Sequence, residues 1–447
     1  MATLTGTLVH VKAHLQRLVP SDQIRQTCRN LGHIWRDRTL GPDVTVHLFL
    51  LQLLAGVALS GLRHVAAIPA SAQAICRAKM RLPLQLLMEQ VAASAPDGPE
   101  RSLWRGLAVY LADAMSFMTQ DTAALAARYG KPRNQRGTSM GYPTPKLLAL
   151  MDFGGGFIRR VIALPWARQE FTCLSRLFKA IGSGALLLGD RGLVSFAHLA
   201  LLMRANVAGC FRLPRGQVVH KHAPKRRASS GGAKGGRRAK HASRSRRLIS
   251  RLGPQDLLVR WTAARRPAWL GRRRWAALAA QPLTLRQIAF RICRPGHRPR
   301  WAWIITTLID PRRYPAGELI KLYGKRWQIE VYFRDLKRTL GLRLISAKTP
   351  EGVRKEILAF ILLYNLIRGV MQKAAQRQGV EPRRISFIDA MRWLLWSSPG
   401  TPLPDLLINP PRTRAAPPRR LKNARHRFPQ LNKPRARLNK PPCHVML

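Results

Sequence analysis

Two aspartates in this chain close runs of apolar residues. Leu107-Ala-Val-Tyr-Leu-Ala leads into Asp113, and Ala185-Leu-Leu-Leu-Gly leads into Asp190. Short buried runs of this kind read as strands. Acids at the carboxyl edge of a sheet project together into the crevice there. Taken singly, either aspartate also reads as a turn former or a helix cap. Asp121, ahead of Thr122 and several alanines, reads as a cap, and Asp152 sits at the mouth of a Gly-rich hairpin. Further along, Tyr323, Arg326, Glu330, Arg334 and Lys337 recur at helical spacing. At roughly 100° per residue they fall inside an arc of about 80° on one helix face. On such a stripe Glu330 would bind a metal while the cations grip phosphates. A solvated face with a Glu330–Arg334 ion pair is the plainer alternative.

Taken together, the acids suit phosphodiester cleavage. Two hard cations held about 4 Å apart need several carboxylates; one ion activates the attacking oxygen and the other stabilises the leaving oxygen. Mg²⁺ takes carboxylate, water and phosphate oxygens in preference to Cys or His.

The elements that must position these groups are those of an α/β domain. Leu147–Asp152 and Phe157–Leu164, joined through Gly154-Gly-Gly156, read as a β-hairpin, and Ser195–Ala205 as a helix. Leu257–Trp261, Leu283–Ile292 and Trp301–Leu308 suggest a β-rich insertion. Helical patterns run over 316–340, 353–371 and 385–396. The first 100 residues look helical, with Val44–Leu62 and Ala70–Met80 as core helices. The expected divisions are a helical DNA-binding domain over 1–100, a catalytic domain in two parts over 101–215 and 301–396, a basic insertion over 216–300, and a tail over 397–447.

The chain has 447 residues, with 78 Lys and Arg against 21 Asp and Glu, a formal charge of +57. That field gathers polyanions, nucleic acid above all, and argues against an enzyme of small neutral substrates. Apolar residues make up 46%, enough for sizeable cores. Lys221–Arg251 carries twelve Lys or Arg among Gly, Ser and Ala and reads as a mobile basic loop. From Pro399 onward there are eleven prolines and, after Asp405, no acid, which reads as a disordered basic tail. Six scattered cysteines with no C-x-x-C pair argue against zinc or a disulfide framework and fit a reducing compartment. No leader-like start, amphipathic basic helix or phosphate-cradling G-x4-G-K-[ST] loop is found. The expectation is a cytoplasmic, nucleoid-associated protein that does not enter membranes.

Tyr323-x2-Arg326-x3-Glu330-x6-Lys337 matches the Y-x2-R-x3-E-x6-K signature of a branch of DDE transposases from bacterial insertion sequences. Val109-Tyr-Leu-Ala-Asp113 and Leu188-Gly-Asp-Arg-Gly192 resemble the stretches around that family's first and second aspartates. Asp310-Pro-x2-Tyr314, Val353-Arg-Lys-Glu356 and Tyr364-Asn-Leu366 are further similar stretches. The resemblance covers roughly residues 30–395 and implies a ribonuclease-H-like mixed sheet with flanking helices, interrupted by a β-rich insertion. It places Asp113, Asp190 and Glu330 as the catalytic, metal-binding triad, with two Mg²⁺ ions for which Mn²⁺ substitutes. It puts Tyr323, Arg326 and Lys337 against DNA phosphates, where the helical stripe adds Arg334, and Trp303 near a position that stacks a flipped base. Packing in the core is the other reading of Trp303 and of its neighbour Trp301. The implied activity is cleavage of transposon end repeats and joining of 3′-hydroxyl ends to target DNA, by a homodimer in a synaptic complex. Ala114 and Met115 depart from the Gly and Ser or Thr that often follow the first aspartate. An inactive or repurposed transposase that only binds DNA is the alternative.

Overall fold

The computed structural model describes residues 15–36, 38–66, 68–96, 103–134, 137–138, 141–219, 245–293, 299–343, 345–397 and 401–410. Most of the basic loop and the tail beyond residue 410 lie outside the described residues. The chain divides into two compact units: residues 1–290 with 303–410, and residues 291–302 with 411–447. Of the second unit, the described residues are short strand ends.

The ten strands are β1 (Leu103–Trp104), β2 (Leu107–Ser116), β3 (Lys146–Asp152), β4 (Ile158–Leu164), β5 (Ala185–Gly189), β6 (Ala208–Arg212), β7 (Arg246–Gly253), β8 (Asp256–Trp261), β9 (Leu283–Ile292) and β10 (Arg300–Thr306). They form one sheet in the order β4-β3-β2-β5-β6-β10-β9-β8-β7, with β1 beside β2. β2, β3 and β4 run antiparallel, whereas β5 pairs parallel to β2 and β6 parallel to β5. That order and those directions are the ribonuclease-H-like arrangement. The insertion strands do not form a separate sheet; they extend this one through the antiparallel β10–β6 pair. β7 also takes Arg246–Arg251 out of the expected mobile loop, because these residues pair with β8.

Alternation along the strands explains why they read as continuous apolar runs. In β5, Leu186 and Leu188 enter one core and Leu187 the other. A sheet buried on both faces has no polar side to alternate with. On the first face lie the helices α1 (Ser21–Asn30), α2 (Pro42–Ala55), α3 (Leu59–Val65), α4 (Ala72–Arg81) and α5 (Leu84–Ala93). Their described residues share one core with the late helix Pro350–Arg377. The expected single helix over 44–62 is two helices meeting at 105°, because Gly56 takes a left-handed conformation (φ +64°) and closes α2.

After α6 (Ala123–Tyr129), capped by Thr122, comes α7 (Phe196–Arg204), capped by Ser195, on the second face. The expected cap at Asp121 belongs to Thr122, and Asp121 pairs with Lys131 at 2.7 Å instead. α8 (Arg272–Ala279) belongs to the insertion. The helix expected over 316–340 is broken into α9 (Ala316–Gly324), a tight 3-10 turn at Lys325–Trp327, α10 (Gln328–Arg334) and a wide π turn at Asp335–Thr339. α11 (Pro350–Arg377) is long and apolar enough to cross a membrane, yet 83% of its most apolar stretch is buried in the protein. α12 (Phe387–Trp396) follows. Residues 401–410, expected within the disordered tail, are tied back: the Ser386 N–H donates to Leu407, and that of Asn409 to Arg384.

Candidate active site

The parallel register of β2 and β5 runs from Ala108 opposite Ala185 to Ala112 opposite Gly189. The next residue on each strand is an aspartate. Adjacent strands lie about 4.8 Å apart, so Asp113 and Asp190 become neighbours although 77 positions separate them in sequence. Asp113 is not at the end of its strand, as the apolar run suggested. β2 continues to Ser116 along β3, and only the pairing with β5 stops at Ala112. The Asp113 side chain is 29% exposed there.

One cation faces both carboxylates. Arg326 Nη1 lies 3.4 Å from Asp113 Oδ2, and Arg326 Nη2 lies 3.9 Å from Asp190 Oδ1. The guanidinium is 14% exposed, and its fork suits two acceptors at once. The Ala114 N–H also donates to Asp113 Oδ1 at 2.8 Å, so the departure at position 114 leaves the carboxylate supported. Burial pushes the Asp113 carboxyl above the ordinary range. The Ala114 amide and Arg326 oppose this, while the charges of Asp190 and Glu330 add to it. Glu330 stands exposed on α10, close enough for its charge to reach Asp113.

Asp113 and Asp190 therefore share the Arg326 guanidinium, and of Glu330 only its charge is seen to act on Asp113. Among the described residues, however, no group of three or more His, Cys, Asp or Glu is arranged to hold a metal ion. The donor chemistry nevertheless fits one. Asp113 and Asp190 offer hard oxygens to a shared cation, and the Arg326 guanidinium stands in for it here.

The stripe of Tyr323, Arg326, Glu330, Arg334 and Lys337 does not lie on one continuous α-helix, because a 3-10 turn and a π turn interrupt it. Tyr323, expected against a phosphate, is 7% exposed, and its hydroxyl donates to the Gly189 carbonyl at 3.2 Å. It thereby braces the backbone beside Asp190. Arg334 is exposed and lies 3.9 Å from Asp335; the expected Glu330 partner is replaced by this neighbour. Lys337 is half-buried, and burial, Arg338 and Arg343 lower its pKa. Such a crowd of cations is a setting for an anion. Trp303 is half-buried against the second core, its carbonyl accepting the Leu213 N–H at 2.8 Å, while Trp301 is 46% exposed.

The remaining stretches named above hold backbone. Asp310 accepts the amides of Arg312 and Arg313, and Glu356 those of Ser346 and Ala347. Asp152, expected at the mouth of its hairpin, accepts the amides of Gly155, Gly156 and Phe157. Sequence reasoning missed Arg368, which with Lys355 is one of two buried cations on α11, although a charge inside an apolar helical run was a visible signal.

A model of the transposase DDE domain matches residues 104–366, more than half of the chain, and the protein belongs to that family. It is 26% identical over 314 residues to the transposase InsG for insertion sequence element IS4 from Escherichia coli strain K12. That match covers 68% of this chain and 63% of InsG, so somewhat less than two thirds of the relative's length is spanned. It is 28% identical to the putative transposase InsZ of the same organism, over 31% of this chain and 47% of that one. Among solved structures, a piggyBac transposase synaptic complex with hairpin DNA aligns at a TM-score of 0.43 and 9% identity, covering 87% of this chain and 79% of that one.

Proposed function

We propose that this protein is a DNA transposase that cleaves the ends of its own insertion sequence and joins the freed 3′-hydroxyls to target DNA. The observation that carries the reading is the β2–β5 register, which sets Asp113 beside Asp190 under one guanidinium. Family membership and a charge of +57 point the same way.

In this reading Asp113, Asp190 and Glu330 hold divalent metal, Mg²⁺ by preference and Mn²⁺ as substitute. When bound, the metal activates the attacking oxygen and stabilises the leaving one. The chain's own groups do the rest. Arg326, freed from the aspartates, grips the scissile phosphate as a bidentate donor. Lys337 and Arg334 hold flanking phosphates. Tyr323 fixes the end of β5 and with it the position of Asp190. Trp303 is the candidate for stacking a displaced base. DNA ends and target DNA are the substrates, a homodimer forms the synaptic complex, and the protein works on the nucleoid.

Glu330→Gln is the test, with labelled element ends and Mg²⁺. Retained end binding with no nicking supports the reading, whereas full cleavage removes Glu330 from the site. A wild-type protein that shifts the band without cutting returns the alternative of a transposase that only binds.

A further inference from the structure

Arg368 is 3% exposed on α11 and takes no part in the chemistry above. Its guanidinium lies over the Tyr332 ring at 4.3 Å and the Tyr364 ring at 5.6 Å. Nη1 approaches the Met371 sulfur at 3.5 Å, while Nε and Nη2 have no hydrogen-bond partner. A buried cation without full hydrogen bonding is costly, and an apolar side chain of the same volume would pack there more cheaply. The charges that compensate it are Asp335 and Asp152, both under a tenth exposed. Burial pushes the Asp335 carboxyl up, and the Arg368 charge acts against that.

The position of these partners is what matters. Tyr332 and Asp335 are three residues apart and face inward, at the junction of α10 and the π turn. Glu330, on the same short helix, is exposed. Arg368 therefore grips the inner face of the segment whose outer face carries Glu330. The other side of the grip is the β3–β4 hairpin. The Tyr332 hydroxyl donates to Phe153 at 3.3 Å and that of Tyr364 to Gly156 at 3.1 Å. The Asn365 amide pairs with both the N–H and the carbonyl of Ile158. Gly156 has a φ of +74°, and a Cβ there would collide with the Arg368 guanidinium, so the hairpin closes directly on the cation.

We propose that Arg368, held between Tyr332 and Tyr364 and balanced by Asp335, is a positioning residue that sets the placement of Glu330 toward metal. This rests on the reading of Glu330 given above.

The test compares Arg368→Met, Arg368→Lys, Asp335→Asn and Glu330→Gln in the full chain with end DNA. Two quantities are read: Mn²⁺ binding to the protein–DNA complex, from the EPR signal of free Mn²⁺, and the Mn²⁺ dependence of cleavage. Arg368→Met is expected to keep DNA affinity, weaken Mn²⁺ binding by about 10- to 100-fold, and raise the Mn²⁺ needed for cleavage in step. Arg368→Lys is expected to recover part of that loss, and Asp335→Asn to reproduce it. Unchanged Mn²⁺ binding in Arg368→Met overturns the proposal. Should that variant fail to fold, unchanged binding in both Arg368→Lys and Asp335→Asn overturns it. If Glu330→Gln itself leaves Mn²⁺ binding intact, the functional reading fails; if Glu330→Gln weakens it while the Arg368 variants do not, only the role of Arg368 falls.

Discussion

At the scale of single residues, one cation serves two acids. Asp113 and Asp190 stand side by side, and two carboxylates so placed disfavour their shared ionisation unless a cation intervenes. Arg326 is that cation, at 3.4 and 3.9 Å. Arg326→Gln should therefore lose cleavage and also leave the two acids repelling one another. Its thermal midpoint is expected to fall below that of the wild type at low ionic strength, and added Mg²⁺ should raise it by more than it raises the wild type. Equal Mg²⁺ responses in a differential scanning experiment would show that the guanidinium and the metal do not share a place. Tyr323 makes a similar point about motif residues. Its type and spacing fit a phosphate contact, but its hydroxyl is committed to Gly189 in the interior.

At the scale of elements, buried polar contacts hold the insertion together and tie it to the segment ahead of α9 and to α7. Arg286 on β9 is fully buried and donates to Asp256 on β8 and to the Tyr314 carbonyl just ahead of α9. Removing one partner of such a pair strands the other charge, at a cost of roughly 3–5 kcal/mol. Asp256→Asn should show that loss in a urea denaturation curve. The second fastening is aromatic. His198 on α7 stacks on Trp269 of the insertion at 4.8 Å, and its Nδ1 lies 3.0 Å from Ser195 Oγ. Burial pushes the imidazole down from 6.5 to about 4, so the folded state binds fewer protons than the unfolded one between those values. The stability this group supplies is complete above pH 6.5 and is lost as pH falls toward 4, by about 3 kcal/mol. Urea midpoints measured across that window should fall with pH in the wild type and flatten in His198→Gln. A parallel slope in the two proteins would remove His198 as the cause.

At the scale of the whole molecule, +57 charges on 447 residues set the field that any polyanion meets, and the proposed substrate is DNA. Counterion release should weaken binding to any duplex by about a thousandfold or more between 50 and 200 mM salt, and a filter-binding or anisotropy titration measures this directly. A shallow salt slope would mean that few of the cations touch phosphate. Much of this was already written in the chain. Composition gave the +57 charge from which a polyanionic partner is proposed. The apolar runs gave strands buried on both faces, and the spacing around Glu330 gave the family. Local patterns suffice for these because side-chain chemistry and strand propensity act over a few residues. Other features needed the fold. The turns that interrupt α9 and α10, the left-handed break at Gly56, and the burial of Tyr323 arise where packing overrides a uniform helical repeat. No spacing rule could set Arg326 between two aspartates on neighbouring strands or bring Arg368 beneath Glu330's helix. Such meetings depend on parallel register and on helix packing between segments far apart in sequence, and those are fixed only when the whole core closes.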